Sequence, residues 1–195
     1  MHVVTHLLAG WALAQEVKLK GRERALVTWS CVVADVDGAG MLIDAANRVL
    51  ARGETYYYEQ FHHVLGHGLP AEILWTAAAW ALGARKALTL VWIVLAFHLH
   101  LLMDLAGSRG SAPTDIWPIP YLAPISSAMT FSWNGQWPLT SWQNTSLTVV
   151  LMVWALIQAL RLGASPVSLF SQRADRVFVE TLRRRWGQWS GRLGS

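Results

Sequence analysis

A single cysteine, Cys31, stands among the 195 residues, so no internal disulfide can form and a cysteine-rich zinc site is excluded with it. Charge is scarce as well. Only 14% of residues are Asp, Glu, Lys or Arg, against roughly a quarter in an ordinary soluble domain. The chain has no Gly-rich phosphate loop, nucleophile elbow or internal repeat. Phe and Tyr are few, at five and four, while Trp numbers twelve. That balance is odd for a soluble core, whereas indoles favour membrane interfaces. At 53% hydrophobic the chain is neither disordered nor collagen-like, and its length suits one domain. Any metal here must be held by His and carboxylate.

Two stretches reach the roughly 20 residues with almost no charge that a bilayer span needs, at 87–106 and 145–163. Three shorter apolar stretches lie at 3–15, 25–36 and 69–84, and on length alone these could be buried helices of a soluble core. The connections decide between the two. Threaded as five segments, the chain puts thirteen of its sixteen Lys and Arg on one side. They lie in the turn Lys18–Arg24, at Arg85 and Lys86, and in the tail from Arg161 onwards. Only Arg48, Arg52 and Arg109 fall on the other. By the positive-inside rule the basic side is the cytoplasm. No Lys or Arg precedes the first apolar run, so a retained helix is expected there rather than a signal peptide, although Ala12-Leu13-Ala14 loosely resembles a cleavage site. On the outer side, Met41, Leu42, Ala45, Ala46, Val49 and Leu50 mark a short amphipathic helix closed by Gly53. Residues 107–144 read as an interfacial loop with Trp117, Trp133, Trp137 and Trp142. The tail sets Phe170, Ala174, Val177, Phe178, Leu182, Trp186 and Trp189 opposite arginines, the pattern of a helix on anionic headgroups. The expected fold is all-α: an integral-membrane bundle of about five membrane-associated helices over residues 1–163 with an outer helical and loop cap, then a cytoplasmic basic amphipathic helix in residues 164–195. Lipid and topology account for the net charge of +4, and without a recognisable reading motif nucleic acid is not an expected partner.

All seven histidines fall on the outer half of this threading, together with Asp35, Asp37 and Asp104. Ionisable groups at such depth are costly and usually mark function. His6 lies near the outer end of the first segment, Asp35 and Asp37 end the second, and His100 and Asp104 lie near the outer end of the fourth. His100 and Asp104 are four apart and share a helical face, whereas His98 points elsewhere. His63 and His67 also stand at helical spacing, while His62 and His67 converge only if the chain is irregular around Gly66. A His and Asp donor set suits zinc first, then manganese, iron or magnesium.

In this order and spacing the residues resemble the YdjM-like integral-membrane proteins, a family of metal-dependent hydrolases. Its pattern opens with Thr-His, matched by Thr5-His6, and continues with an acidic pair ending a helix, matched by Asp35-Val36-Asp37. A His-Arg-Gly-x-Thr-His-Ser element follows, to which His62–Gly68 aligns with both outer histidines kept and with His63, Val64, Gly66 and Gly68 at the Arg, Gly, Thr and Ser. A His-x-x-x-Asp helix and a Trp-Pro come next, matched by His100–Asp104 and by Trp117-Pro118. The resemblance covers about residues 1–122 and implies His62 rather than His63 as a ligand. More distantly the donor set resembles that of zinc-dependent phospholipase C and P1-type nucleases.

Together these imply a bacterial inner-membrane hydrolase with an extracytoplasmic site and a cytoplasmic C-terminus. It would act on a phosphoester, most naturally in a lipid headgroup, through a metal-activated water with one or two divalent ions. The expected ligands are His6, Asp35, His62, His67, His100 and Asp104, with Asp37 as ligand or general base, and Asp37, His100 and Asp104 as the catalytic group. The alternative is a non-catalytic protein that a metal staples together and that binds a lipid or a regulatory partner. Sidedness is open to a direct check. A green fluorescent protein fused after Ser195 is expected to fluoresce and an alkaline phosphatase fused there to stay inactive; the opposite pair of results would invert the topology.

Overall fold

The computed structural model describes residues 1–19 and 21–193, with side chains through Gln188; Lys20, Gly194, Ser195 and the side chains of Trp189 and Arg192 lie outside the described residues. It is mostly helical, in keeping with the all-α expectation. The helices are α1 (Val3–Glu16), α2 (Gly21–Ser30), α3 (Gly40–Val49), α4 (Tyr57–Phe61), α5 (Leu69–Ala81), α6 (Ala87–Gly107), α7 (Trp142–Leu162) and α8 (Gln172–Leu193). A 3-10 segment, Val33–Ala39, joins α2 to α3, and another, Pro166–Leu169, precedes α8. In the long connection after α6, β1 (Ile119–Pro120) pairs antiparallel with β2 (Thr130–Phe131), a small sheet that the loop composition did not signal.

Helices α6 and α7, at 21 residues each, run about 32 Å, enough to cross a hydrocarbon core of about 30 Å. They are the two candidate spans. A third arises if α2 and the Val33–Val49 stretch, bent by 55°, count as one crossing. Helices α1 and α5, of 14 and 13 residues, reach only about 20 Å and by themselves fall short of that thickness. The exposed apolar residues suit lipid: Ile73 and Leu74 on α5, Leu88, Val91 and Leu95 on α6, Val149, Val150 and Val153 on α7 all face outward.

The core lies where α1, α2 and α6 meet, around Ala14, Val27, Cys31, Ile93 and Ala96. Here Gly10 lets α1 sit directly on α2: a Cβ at this position would stand 2.7 Å from the Thr28 carbonyl oxygen and from the Cys31 Cβ. Trp11, fully buried, meets Trp154 edge to face at 5.7 Å and attaches α7 to the other side of α1. The amphipathic stripe expected in residues 38–68 forms α3, whose Met41, Leu42 and Val49 remain exposed.

The tail folds back on the bundle. Gly163 ends α7 in the left-handed conformation at φ 74°, the usual relief for terminal carbonyls. Arg183 of α8 donates to the Leu160 carbonyl at 2.8 and 3.0 Å, a cation at a helix C-terminus. Asp175 accepts from the Ser165 amide and hydroxyl at 2.9 and 2.6 Å. Phe170, Val177 and Trp186 are exposed.

Gly10→Ala tests the α1–α2 contact. Helix propensity alone favours Ala by about 1 kcal/mol, but the overlap falls on backbone, so a net loss of about 1–2 kcal/mol is expected from overpacking. It would appear as a lower thermal midpoint in detergent; an unchanged or raised midpoint would contradict the packing.

Candidate metal centre

Four separate parts of the chain deliver ionisable side chains to one end of α6. His100 and Asp104 stand one turn apart on its inner face, both buried. His6 comes from α1 and lies against His100, ring centroids 3.9 Å apart. Asp35 comes from the 3-10 segment that begins when α2 ends. His67 comes from the loop between α4 and α5, and that loop reaches the site because residue 66 is glycine. Any Cβ there would collide with the Ala34 carbonyl.

The distances fit ligands around a common centre. His100 Nε2 lies 3.1 Å and His67 Nε2 3.4 Å from Asp104 Oδ2. The same two nitrogens lie 3.9 and 3.7 Å from Asp35 Oδ1. Bonds of about 2.1 Å in a tetrahedral shell separate neighbouring ligand atoms by about 3.4 Å. His67 Nε2, His100 Nε2 and Asp35 Oδ2 are buried without a hydrogen-bond partner, an expensive arrangement unless something else satisfies them. His6 Nε2 reaches Asp104 Oδ1 at 3.1 Å, and His6, Asp35, His100 and Asp104 each offer an atom within 4.8 Å of the others. The α-amino group of Met1 contacts Asp104 and Ser108 at the same place. The residues present therefore fit a divalent ion.

A second layer holds these donors in position. Asp37 accepts from His67 Nδ1 at 3.1 Å, from the Gly66 amide at 2.8 Å and from His62 Nδ1 at 2.8 Å. A carboxylate behind an imidazole fixes which nitrogen faces the ion. On the other imidazole, His100 Nδ1 meets the Cys31 carbonyl at 3.1 Å. Gln136 donates to the Asp104 and Trp117 carbonyls at 3.0 and 3.2 Å, and Asn144 donates to the Gly107, Pro138 and Leu139 carbonyls, so the long loop is tied to the end of α6.

Protonation follows from these contacts in the 62–68 loop. Burial lowers the His67 pKa, but Asp35 and Asp37 together outweigh it and leave the imidazole above its ordinary value. His63 is pushed down by burial and by the neighbouring His67 and His62 imidazoles. Protons therefore compete with a cation at His67 more strongly than at an ordinary imidazole, and less strongly at His63.

Of the residues singled out from sequence, His6, Asp35, His67, His100 and Asp104 come together at this point. Asp37 lies behind His67 rather than beside the open nitrogens, and His62 faces Asp37. His62, His63 and His67 form a second group of ring nitrogens within 4.8 Å of one another. His63 takes φ 67°, which turns it inward instead of along a helical face, and stacks on His67 at 4.1 Å. His98 is packed, bonded to the Val94 carbonyl and to the Tyr121 hydroxyl. Sequence reasoning missed Gln136 and Asn144, whose amides look like ordinary loop residues, and Arg109, which it used only for topology. A small cavity of about 90 Å³ opens onto the site, with Asp35, Asp104, His62, His63, Arg109 and Trp117 in its walls.

Residues 1–181 match the family of the YdjM inner membrane protein. The chain belongs to that family. With its apolar helices, this YdjM-family chain is an integral protein of the inner membrane. No curated protein and no solved structure matches it.

Zinc titrations of the metal-stripped protein check the geometry. His100→Ala and Asp104→Asn are each expected to abolish stoichiometric binding, and Asp37→Asn to weaken it by about 10–100-fold with the stoichiometry kept. Wild-type affinity should fall as pH drops from 8 to 6, because the His67 proton competes. Unaltered binding in Asp104→Asn would remove the site.

Proposed function

We propose that this protein is a membrane-embedded metal-dependent hydrolase that cleaves a phosphoester in a lipid headgroup at the extracytoplasmic face. The observation that carries the reading is the set of partnerless donors, His67 Nε2, His100 Nε2 and Asp35 Oδ2, converging on Asp104 beside an open cavity. His6, Asp35, His67, His100 and Asp104 would hold the ion; zinc suits them best, since three of the five donors are imidazoles. When bound, a divalent ion would supply Lewis-acid activation of water and of the phosphoryl oxygen.

The chain's own groups do the rest. Asp37 keeps the His67 imidazole oriented through Nδ1, which makes it a positioning residue. His62 and His63 stand at the cavity wall, where their nitrogens are available to a second ion or to the leaving group. Trp117 closes that wall, meeting the His63 ring edge to face at 4.6 Å, and excludes bulk water from the reacting end. A lipid is the favoured substrate because the site lies at the end of two helices long and apolar enough to span, so a headgroup can enter sideways.

A second reading, a metal that only staples the helices, draws on the number of donors. Five protein ligands from four chain segments suffice to fill a coordination shell. Turnover separates the two. Zinc- or manganese-loaded protein, given mixed phospholipid vesicles and bis-p-nitrophenyl phosphate, is expected to release product. His100→Ala should reduce this to background. Turnover that survives loss of both His100 and Asp104 would end the hydrolase reading, and a metal-dependent rise in thermal midpoint without any turnover would support the staple.

A further inference from the structure

Arg109 stands two residues beyond the end of α6 with its backbone locked. Its amide donates to the Trp137 carbonyl at 3.3 Å, its carbonyl accepts from Leu139 at 2.9 Å, and it forms a parallel bridge with Pro138. The side chain is far less committed. Nη1 makes one long contact to the Ala112 carbonyl at 3.4 Å, while Nε is buried and has no partner. Among the described residues no carboxylate lies within ion-pair distance of it, although Asp35 and Asp104 line the same cavity. A buried guanidinium N–H without an acceptor is rare in a native structure, and the nearby carboxylates are directed at the metal donors instead.

We propose that Arg109 is the oxyanion-binding residue of this site and that the ligand it takes is a phosphoryl group bearing an apolar substituent. The guanidinium is a planar fork that pairs two oxygens of a tetrahedral anion. The cavity it shares with Asp35 and Asp104 has room for about three waters, which is the scale of a phosphate. The apolar substituent follows from the next feature. Tyr58, His62, His63 and Trp117 are walls of this cavity and also of a larger, mainly apolar cleft of about 350 Å³ that continues along Pro118 and Pro120. One molecule can therefore place its anion between Arg109 and the metal donors and its apolar part along the cleft. This rests on the metal-centre reading and adds to it the contact that selects the substrate.

The test is calorimetric titration of full-length, zinc-loaded protein in detergent with inorganic phosphate, glycerol 3-phosphate and dihexanoyl phosphatidate. The wild type should bind these anions. Arg109→Gln should weaken binding at least tenfold with zinc content unchanged, and Arg109→Lys, which keeps the charge but not the fork, should weaken it several-fold. If Arg109→Gln loses zinc, the Arg109→Lys result decides. Tighter binding of phosphatidate than of glycerol 3-phosphate supports the proposal with a lipid as the source. Equal binding of the two, still dependent on Arg109, supports the phosphoryl contact and overturns the apolar subsite. Wild-type affinity in the variants, or a zinc-loaded wild type that binds no phosphate, overturns the proposal while the metal centre stands. A wild type that holds no zinc overturns the metal centre itself, and the proposal with it.

Discussion

Asp104 is a carboxylate buried almost completely at the end of a long apolar helix, and the rest of the site is arranged around its need for positive charge. An isolated buried carboxylate costs far more than a small bundle can offset, so it must be protonated, paired or bound to a cation. The chain surrounds it with His6, His67, His100, the Ser108 hydroxyl and the Met1 α-amino group, yet supplies no Lys or Arg side chain to neutralise it. Neutral imidazoles are weak counter-charges but good metal ligands. Beside the ion pair that the Met1 α-amino group makes with Asp104, the three imidazoles supply a donor set suited to a further cation.

The site draws on two kinds of support. His6 sits on α1 and His100 and Asp104 on α6, helices that pack with α2 in one core, and their positions are set by the bundle. His67 comes instead from an irregular loop, held by Asp37, by the Gly66 amide and by the approach of Gly66 to Ala34. Breaking the helix pairing costs packing over the whole core, whereas releasing the loop costs a few hydrogen bonds. Asp37 is therefore the residue that fixes the orientation of the loop donor His67.

How much of this was legible in the sequence depended on whether a local period or a tertiary contact carried the information. His100 and Asp104 could be placed together because four residues make one helical turn. His6 and Asp35 could be placed at the same level because the Lys and Arg distribution ordered the helix ends, although α1 and α5 are by themselves too short to span. Asp37 was recognised as functional, but spacing cannot say whether a carboxylate faces an ion or the back of an imidazole. His63 was read along a helical face and in fact adopts a positive φ, which no period encodes. Gln136 and Asn144 are separated from the carbonyls they hold by 32 and 37 residues, and polar residues in a long loop carry no signal of such partners.

Arg109 bears both on the topology and on the site. In the positive-inside count it is one of three residues on the minority side and weighs little. In the fold it lines one cavity with Asp35 and Asp104 and forms no ion pair with either, fixed by backbone bonds a few residues past Asp104. Had its purpose been to neutralise Asp104 or Asp35, it would bond to one of them, since both line the same cavity. Holding a guanidinium close to carboxylates but apart from them leaves a gap between unlike charges. A metal ion on the carboxylate side and an anion on the arginine side would fill that gap with alternating charge, and each would strengthen the binding of the other.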